Sequence, residues 1–288
     1  MLDQAKHFSF SRLNTLSSCR MKYYHKYILK SARLEPAKDY FRVGRIVDEA
    51  LKAVSTGYID GFHDFCANEK IEFLEEKWEH YCKGIWEGRK ELYSSVYGNR
   101  VNVDLQKDVN IYILDQVSGE IISDNEGNPM NMLGYLDAYH KESNTIFEVK
   151  TTSGGIDQLF IEHKFSGQTQ IYAYSIKKND NLANLPLVIY AYIKKPMIKQ
   201  KKDETSEQFF QRMYEAGLSA QVDFREVQYT EDEVNETMQF YYDWISSDIN
   251  SKPVKDRNAC FNFGARCEYY GYCWKNQINS EPIKKEDK

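Results

Sequence analysis

The sequence has no apolar run long enough to span a bilayer, so a membrane is not expected among its partners. Its opening, MLDQAKHFSFSRL, lacks the basic-then-apolar order of a secretory leader, and a cytoplasmic protein is expected. No internal repeat is present, and apart from a charged stretch, Glu281–Lys288, expected to fray, no segment is of low complexity. The absence of G-x-G-x-x-G argues against a doubly wound dinucleotide fold. Positive charge is not in surplus either. A formal net charge of −5 excludes a generally basic nucleic-acid coat. It leaves room for an enzyme that meets phosphates through metal ions and a local basic groove. Basic residues do cluster locally, at Arg20, Lys22 and Lys26 and again at Lys194, Lys195, Lys199, Lys201 and Lys202, although a solvated charged face has the same pattern.

What is present is an ordinary globular composition, 42% hydrophobic and 28% charged over 288 residues, enough for one large α/β domain or two small ones. FSFSRLNTLSSCRMKYYHKYILK predicts a short helix capped by Ser9 or Ser11, a break near Ser17–Cys19, and a second, tyrosine-rich helix. Phe41, Ile46, Val47, Ala50, Leu51 and Val54 recur at helical spacing over about 39–55, and residues 61–95 continue helical. VNVDLQKDVNIYILD alternates as strands do, and turn chemistry follows at Glu126-Gly127-Asn128-Pro129. Later come a helix near Gln168–Ile176, a strand over 185–193, and helices over about 205–217 and 230–248. That order predicts a mixed α/β sheet flanked by helices.

The stretch GYLDAYHKESNTIFEVKTT carries the chemistry. As strands it puts Leu133, Tyr135, Asp137 and Tyr139 on one face, and Ile146, Glu148 and Lys150 on one face. Pairing Tyr139 with Ile146 sets Asp137 opposite Glu148, with Cβ atoms about 4.5–5.5 Å apart. Two such carboxylates repel each other, or one stays protonated. A divalent cation reverses that interaction. Oxygen ligands suit Mg²⁺, and the Val149 carbonyl is a further candidate ligand. Lys150 would then aim its ammonium at the water or phosphate beside the metal. A surface hairpin with a Glu–Lys pair has the same letters, but the apolar neighbours Ile146, Phe147 and Val149 describe an interior strand, where unpaired acids are costly.

Those residues resemble the catalytic core of the PD-(D/E)XK nuclease superfamily, with Asp137, Glu148 and Lys150 at its motif positions. GQTQIYAYSI resembles the Q-x-x-x-Y motif of the RecB-like branch through Gln168 and Tyr172, and Gln170 and Tyr174 share that spacing. VGRIVDEALK resembles the branch's G-x-x-x-H helix, whose His is a metal ligand. Here Asp48 stands in its place, and the harder carboxylate suits Mg²⁺ or Mn²⁺. Glu49 would serve only on a rotated helix.

Six cysteines without a leader speak against disulfides. Cys260, Cys267 and Cys273 lie together in sequence, and Cys19 is the candidate fourth ligand, while Cys66 and Cys82 lack ligand-like neighbours. Four thiolates accept zinc or an iron–sulfur cluster. The early cysteine with a late triplet resembles the [4Fe–4S] staple of AddB-like and CRISPR-associated RecB-like nucleases, which would clamp the terminal helices and turn ligation energy into folding energy.

The resemblance implies a single nuclease domain over 1–280 with a restriction-endonuclease-like core at 100–195 and staple segments at 9–30 and 258–275. It implies a metal-dependent DNA exonuclease, or an endonuclease, acting on single strands or free ends in recombination, repair or phage replication, in a bacterial or phage-infected cell. Recombination or replication proteins would be its partners, and any motor another chain. Arg20, Lys22 and Thr151 would contact the strand, with Tyr23, Tyr24 and Tyr27 stacking bases or packing a helix. The competing class is a lapsed relative that only binds DNA or a partner.

Overall fold

The computed structural model of the chain describes residues 7–31, 39–98, 100, 103–112, 123, 129–246, 260–262 and 265–274. The charged stretch Glu281–Lys288 and most of the Glu126–Pro129 turn lie outside the described residues. In chain order the elements are β1 (His7–Phe8), α1 (Phe10–Ser18), α2 (Arg20–Tyr23) running into a π turn (Tyr24–Ile28), α3 (Asp39–Thr56), α4 (Phe62–Asn68), α5 (Glu76–Glu87) and α6 (Arg89–Tyr97). Then follow β2 (Val103–Leu105), β3 (Asp108–Tyr112), β4 (Asn131–Tyr135), β5 (Ala138–His140), β6 (Thr145–Thr152), α7 (Ile156–Lys164), α8 (Gln168–Asn179) and β7 (Leu187–Lys194). The chain continues through α9 (Ser206–Leu218), β8 (Val222–Val227), α10 (Glu231–Ser246), β9 (Phe261–Asn262), β10 (Ala265–Arg266) and α11 (Tyr270–Trp274). The predicted helix over 61–95 is three helices, interrupted where Ile71–Glu75 turns, and again at Gly88. No described helix is long and apolar enough to cross a membrane.

These residues form two compact units. One comprises Ala37–Asp108 and Tyr135–Tyr229 and holds a five-stranded sheet of order β2-β5-β6-β7-β8, antiparallel except for the parallel pair β6–β7. The chain is therefore a mixed α/β fold with a mostly antiparallel central sheet flanked by helices, as the order of sequence elements predicts. Period-two alternation decides what the central strands do. Phe147 and Val149 on β6, with Ile189, Ala191 and Ile193 on β7, enter one core with Val43, Ile46, Val47 and Ala50 of α3 and the buried faces of α5 and α6. The intervening residues Glu148 and Lys150 stand beside Tyr190 and Tyr192. Helices α5 and α9 approach so closely that a Cβ on Gly84 would lie 2.1 Å from the Tyr214 carbonyl oxygen, and one on Gly217 2.1 Å from that of Tyr81.

The other unit comprises Met1–Pro36, Val109–Gly134 and Thr230–Lys288. Ser9 caps α1 by accepting from the Arg12 N–H, and the helix stops at Cys19, whose extended backbone and sulfur cap α2. Arg12 lies over the rings of Phe8, Tyr23 and Tyr27 at 5.2–5.6 Å, which packs the tyrosine-rich segment onto α1.

Candidate active site

Strands β5 and β6 pair with Tyr139 opposite Ile146 and Ala138 opposite Phe147, the register expected from the sequence. The strand expected to continue from Leu133 through Asp137 to Tyr139 does not do so. It breaks at Leu136-Asp137, leaving Asp137 in a bend between β4 and β5. The bend lets the Asp137 carboxylate turn back onto β6, where its Oδ2 accepts the Val149 N–H at 2.8 Å.

Glu148 is the most desolvated charge in the region, with its side chain 1% exposed. Its Oε1 pairs with the Lys150 ammonium, and its Oε2 is buried without a hydrogen-bond partner among the described residues. Asp137 is held well above the usual carboxylate range, first by burial and then by the negative charge of Glu148, against the pull of Lys150. Asp48, on α3, keeps much of its surface open to solvent, but where it lines the cleft its carboxyl is pushed up to about 7, first by lost hydration; Lys150 opposes the shift, and Glu148 and Glu49 reinforce it. Burial pulls the Lys150 ammonium down, but Glu148 and Asp137 outweigh it and keep the group charged. Three carboxylates therefore share one field with a single ammonium.

Asp48 and Asp137, with Leu51, Lys52, Tyr97 and Val149, line a cleft of about 10 Å³, room for one water-sized species. Glu49 is turned instead toward Lys52, 3.9 Å away. Among the described residues no group of three or more His, Cys, Asp or Glu side chains is gathered tightly enough to hold a metal ion as it stands. The donor set nevertheless fits a hard divalent cation. It is all oxygen, it carries surplus negative charge, and one buried oxygen lacks a partner.

In the first Q-x-x-x-Y register Gln168 Nε2 donates to the Tyr172 hydroxyl at 3.2 Å. Burial raises Tyr172 to about 12, and Glu148 adds to the rise, which locates the phenol at the carboxylates. In the second register Gln170 donates to the Lys164 carbonyl, and Tyr174 lies under Lys178. Thr151 lies 3.5 Å from where a Cβ on Gly44 would sit, so its hydroxyl touches α3.

Two residues outside any motif belong here. Tyr192 is opposite Lys150 on β7, and its hydroxyl bonds His163 Nδ1 at 3.0 Å. His163 stacks on Tyr192 and is lowered to about 4, by burial first and then by Lys150. The alternating tyrosines of LVIYAYI, in a strand parallel to β6, were the available signal for Tyr192. His163 had none, because α7 is joined to the site only by the fold.

The candidate cysteines all lie in the other unit, Cys19, Cys260 and Cys273 buried and Cys267 half-buried, none in a disulfide. Cys19 Sγ accepts the Lys22 N–H at 3.4 Å, and Cys260 Sγ the Trp274 indole N–H at 3.1 Å. The Cys267 N–H bonds the Cys260 carbonyl at 2.9 Å, and burial pushes the Cys267 thiol up. Lys22 is 3.3 Å from Glu268, and Arg20 lies over Trp244 at 5.6 Å, so both basic side chains expected on the strand already have partners within this unit.

Over 98% of this chain and 92% of the other, the fold is similar to the crystal structure of a "Putative exonuclease" from Eubacterium rectale, with a TM-score of 0.52 at 13% identity. The structure of a phage related exonuclease from Haemophilus somnus aligns with 72% of this chain and 83% of its own at a TM-score of 0.32 and 12% identity. No curated protein matches the chain. The family model of the PD-(D/E)XK nuclease superfamily matches residues 7–274, nearly the full length, and the protein belongs to that superfamily.

Proposed function

We propose that the protein is a metal-dependent DNA nuclease, an exonuclease acting on single strands or free DNA ends in recombination, repair or phage replication. The observation that carries this is the buried Glu148, charge-paired on one oxygen and unpartnered on the other, whose charge acts on Asp137 and Asp48. Asp137, Glu148, Asp48 and the Val149 carbonyl would hold Mg²⁺ or Mn²⁺, which when bound supplies Lewis-acid activation of a phosphodiester and its attacking water. Lys150, kept charged by its acidic neighbours, donates to the incoming water or to charge developing on the phosphate. Tyr172, fixed by Gln168, remains a neutral phenol at neutral pH and positions the strand or the Lys150 side chain by hydrogen bonding. His163 is neutral there as well, and through Tyr192 it braces the strand beside Lys150.

In the same proposal Cys19, Cys260, Cys267 and Cys273 bind a structural [4Fe–4S] cluster, with Zn²⁺ the competing occupant. Support comes from their shared unit and from the N–H donors at two sulfurs. Metal analysis of protein purified without oxygen separates iron from zinc.

The test of catalysis is turnover of labelled single-stranded DNA with Mn²⁺, comparing wild type with Glu148→Ala and Lys150→Ala. Losses of about 100-fold or more are expected from removing groups that act on the reacting phosphate. Equal turnover in all three proteins removes the assignment and leaves a DNA-binding relative without catalysis.

A further inference from the structure

Beyond the C-terminal ends of the parallel strands β6 and β7 lies a second cavity, a groove of about 600 Å³. Ser153, Gly154 and Gly155 form one wall, the Lys194–Met197 segment another, and the turn from α9 into β8 the third. This volume is in the range of ligand sites, and the carboxyl ends of parallel strands are where α/β sheets take ligands. Two lysines line it. Lys194 is exposed, whereas Lys195 is only 8% exposed, and among the described residues no carboxylate pairs with it. Its backbone N–H is anchored on the Thr152 carbonyl at 2.6 Å. The Lys195 ammonium sits 5.5 Å from the centroid of the Tyr40 ring. Tyr40 in turn packs on Phe41 at 4.2 Å, and these two large rings are 46% and 61% exposed at the start of α3.

We propose that this groove is a subsite for the single strand on which the nuclease acts, with Lys194 and the Ser153–Gly155 backbone holding a phosphate and Tyr40 and Phe41 stacking bases. The proposal rests on the nuclease assignment above and adds the path of the strand. Continuity argues for a nucleic acid as the occupant. Strand β6 carries Glu148 and Lys150 and then runs directly into the groove wall, with Lys194 paired to Thr152. Four residues at about 3.3 Å each put Thr152 about 13 Å past Glu148. That equals about four steps of a stacked strand at 3.4 Å. The wall itself carries no acid. Gly155 has φ −68° with open space where a Cβ would point, so its neighbours leave the backbone accessible to a phosphate. Exposed aromatics beside a lysine are what single-strand sites combine, each stacked base contributing about 1–3 kcal/mol.

The experiment measures binding of oligothymidines of two to twelve residues by fluorescence anisotropy in Ca²⁺ and in EDTA, over a salt series. Wild type, Lys194→Ala, Gly155→Asp and Phe41→Ala are compared, with Lys90→Ala on α6 as a surface control and melting curves to verify folding. The expected wild-type affinity steps up once the oligonucleotide exceeds about four residues. Lys194→Ala should lower the salt slope by about 0.7, the loss of one single-strand phosphate contact. Phe41→Ala should weaken long oligonucleotides about tenfold, and Gly155→Asp should abolish the step. Wild-type-like length and salt dependence in the three folded groove variants overturns the subsite, as does a step equally lost in Lys90→Ala. Cleavage by the wild type is scored separately. A cleaving enzyme without the step refutes the groove alone, and a step without cleavage refutes the nuclease assignment alone.

Discussion

Lys150→Ala is the sharpest perturbation of the site, because the ammonium offsets more than one acid. Glu148 is buried and Lys150 is its charge partner, with the lysine side chain 27% exposed. Removing one partner of a buried pair costs about 3–5 kcal/mol, and partial exposure of the lysine places this case near 3. Two ionised carboxylates set at an assumed separation of about 5 Å repel each other, at an effective dielectric of about 20, by about 3 kcal/mol as well. In Glu148→Gln the lost attraction and the lost repulsion nearly cancel, so that variant should stay within about 1 kcal/mol of wild type. The double variant should match Glu148→Gln, which makes the coupling energy of the cycle about 3 kcal/mol. The assay is thermal and urea unfolding in EDTA at neutral pH, where Lys150→Ala should melt about 6–12 °C lower. Saturating Mn²⁺ should return most of that deficit, since a cation at 100 times its Kd contributes about 2.7 kcal/mol. A Lys150→Ala protein that melts with wild type in EDTA would show that Glu148 needs no compensating charge. The case for a cation would fall with it.

Acid should destabilise the protein partly through His163. Its folded pKa of about 4 lies below the ordinary 6.5, so its contribution is present above 6.5 and is lost as pH falls toward 4. His163→Gln should flatten that limb of the stability profile, and an unchanged limb assigns it to other groups. Gly217→Ala drives a methyl to 2.1 Å from the Tyr81 carbonyl oxygen and should cost about 3 kcal/mol or more in urea unfolding, whereas Gly155→Ala, with nothing within 4 Å, should stay within about 0.5. Cys19→Ser and Cys273→Ser should each lose bound iron by metal analysis while Cys66→Ser keeps it. Iron retained by all three would remove the cysteine assignment.

The fold was legible where periodicity alone decides. Alternation in TIFEVK set Phe147 and Val149 on the face opposite Glu148 and Lys150, the face that enters the core, and the hairpin register followed from loop length. Helix α3 was legible from its apolar stripe, and its rotation turns Asp48 to the cleft and Glu49 toward Lys52. The bend at Asp137 was not legible. GYLDAYH alternates without interruption, and only the transfer of the chain from one sheet to another breaks the strand. In sequence Arg20 and Lys22 read as contacts to a nucleic-acid strand, yet Trp244 and Glu268, more than 200 positions away, engage them. Long-range partners of that kind leave no local periodic trace.

In the proposed metal site Asp48 bears on the choice of metal through charge balance. With Asp137, Glu148 and Asp48 ionised and Lys150 protonated, the site carries −2, which one divalent cation neutralises. A histidine in place of Asp48 would leave −1 and add a softer nitrogen ligand, favouring Zn²⁺ or Ni²⁺ relative to Mg²⁺. The carboxylate raises the electrostatic attraction for Mg²⁺ and Mn²⁺ and also the cost of an empty site, seen in the elevated Asp48 and Asp137 carboxyls. Metal-free protein relieves that repulsion by taking up protons. Cation binding at neutral pH should therefore release protons, measurable as a dependence of binding enthalpy on buffer ionisation. Asp48→Asn should reduce both the proton release and the affinity. If Asp48→Asn binds Mn²⁺ as tightly as wild type and releases as many protons, Asp48 is not a ligand and the compensation lies with Asp137 and Glu148 alone.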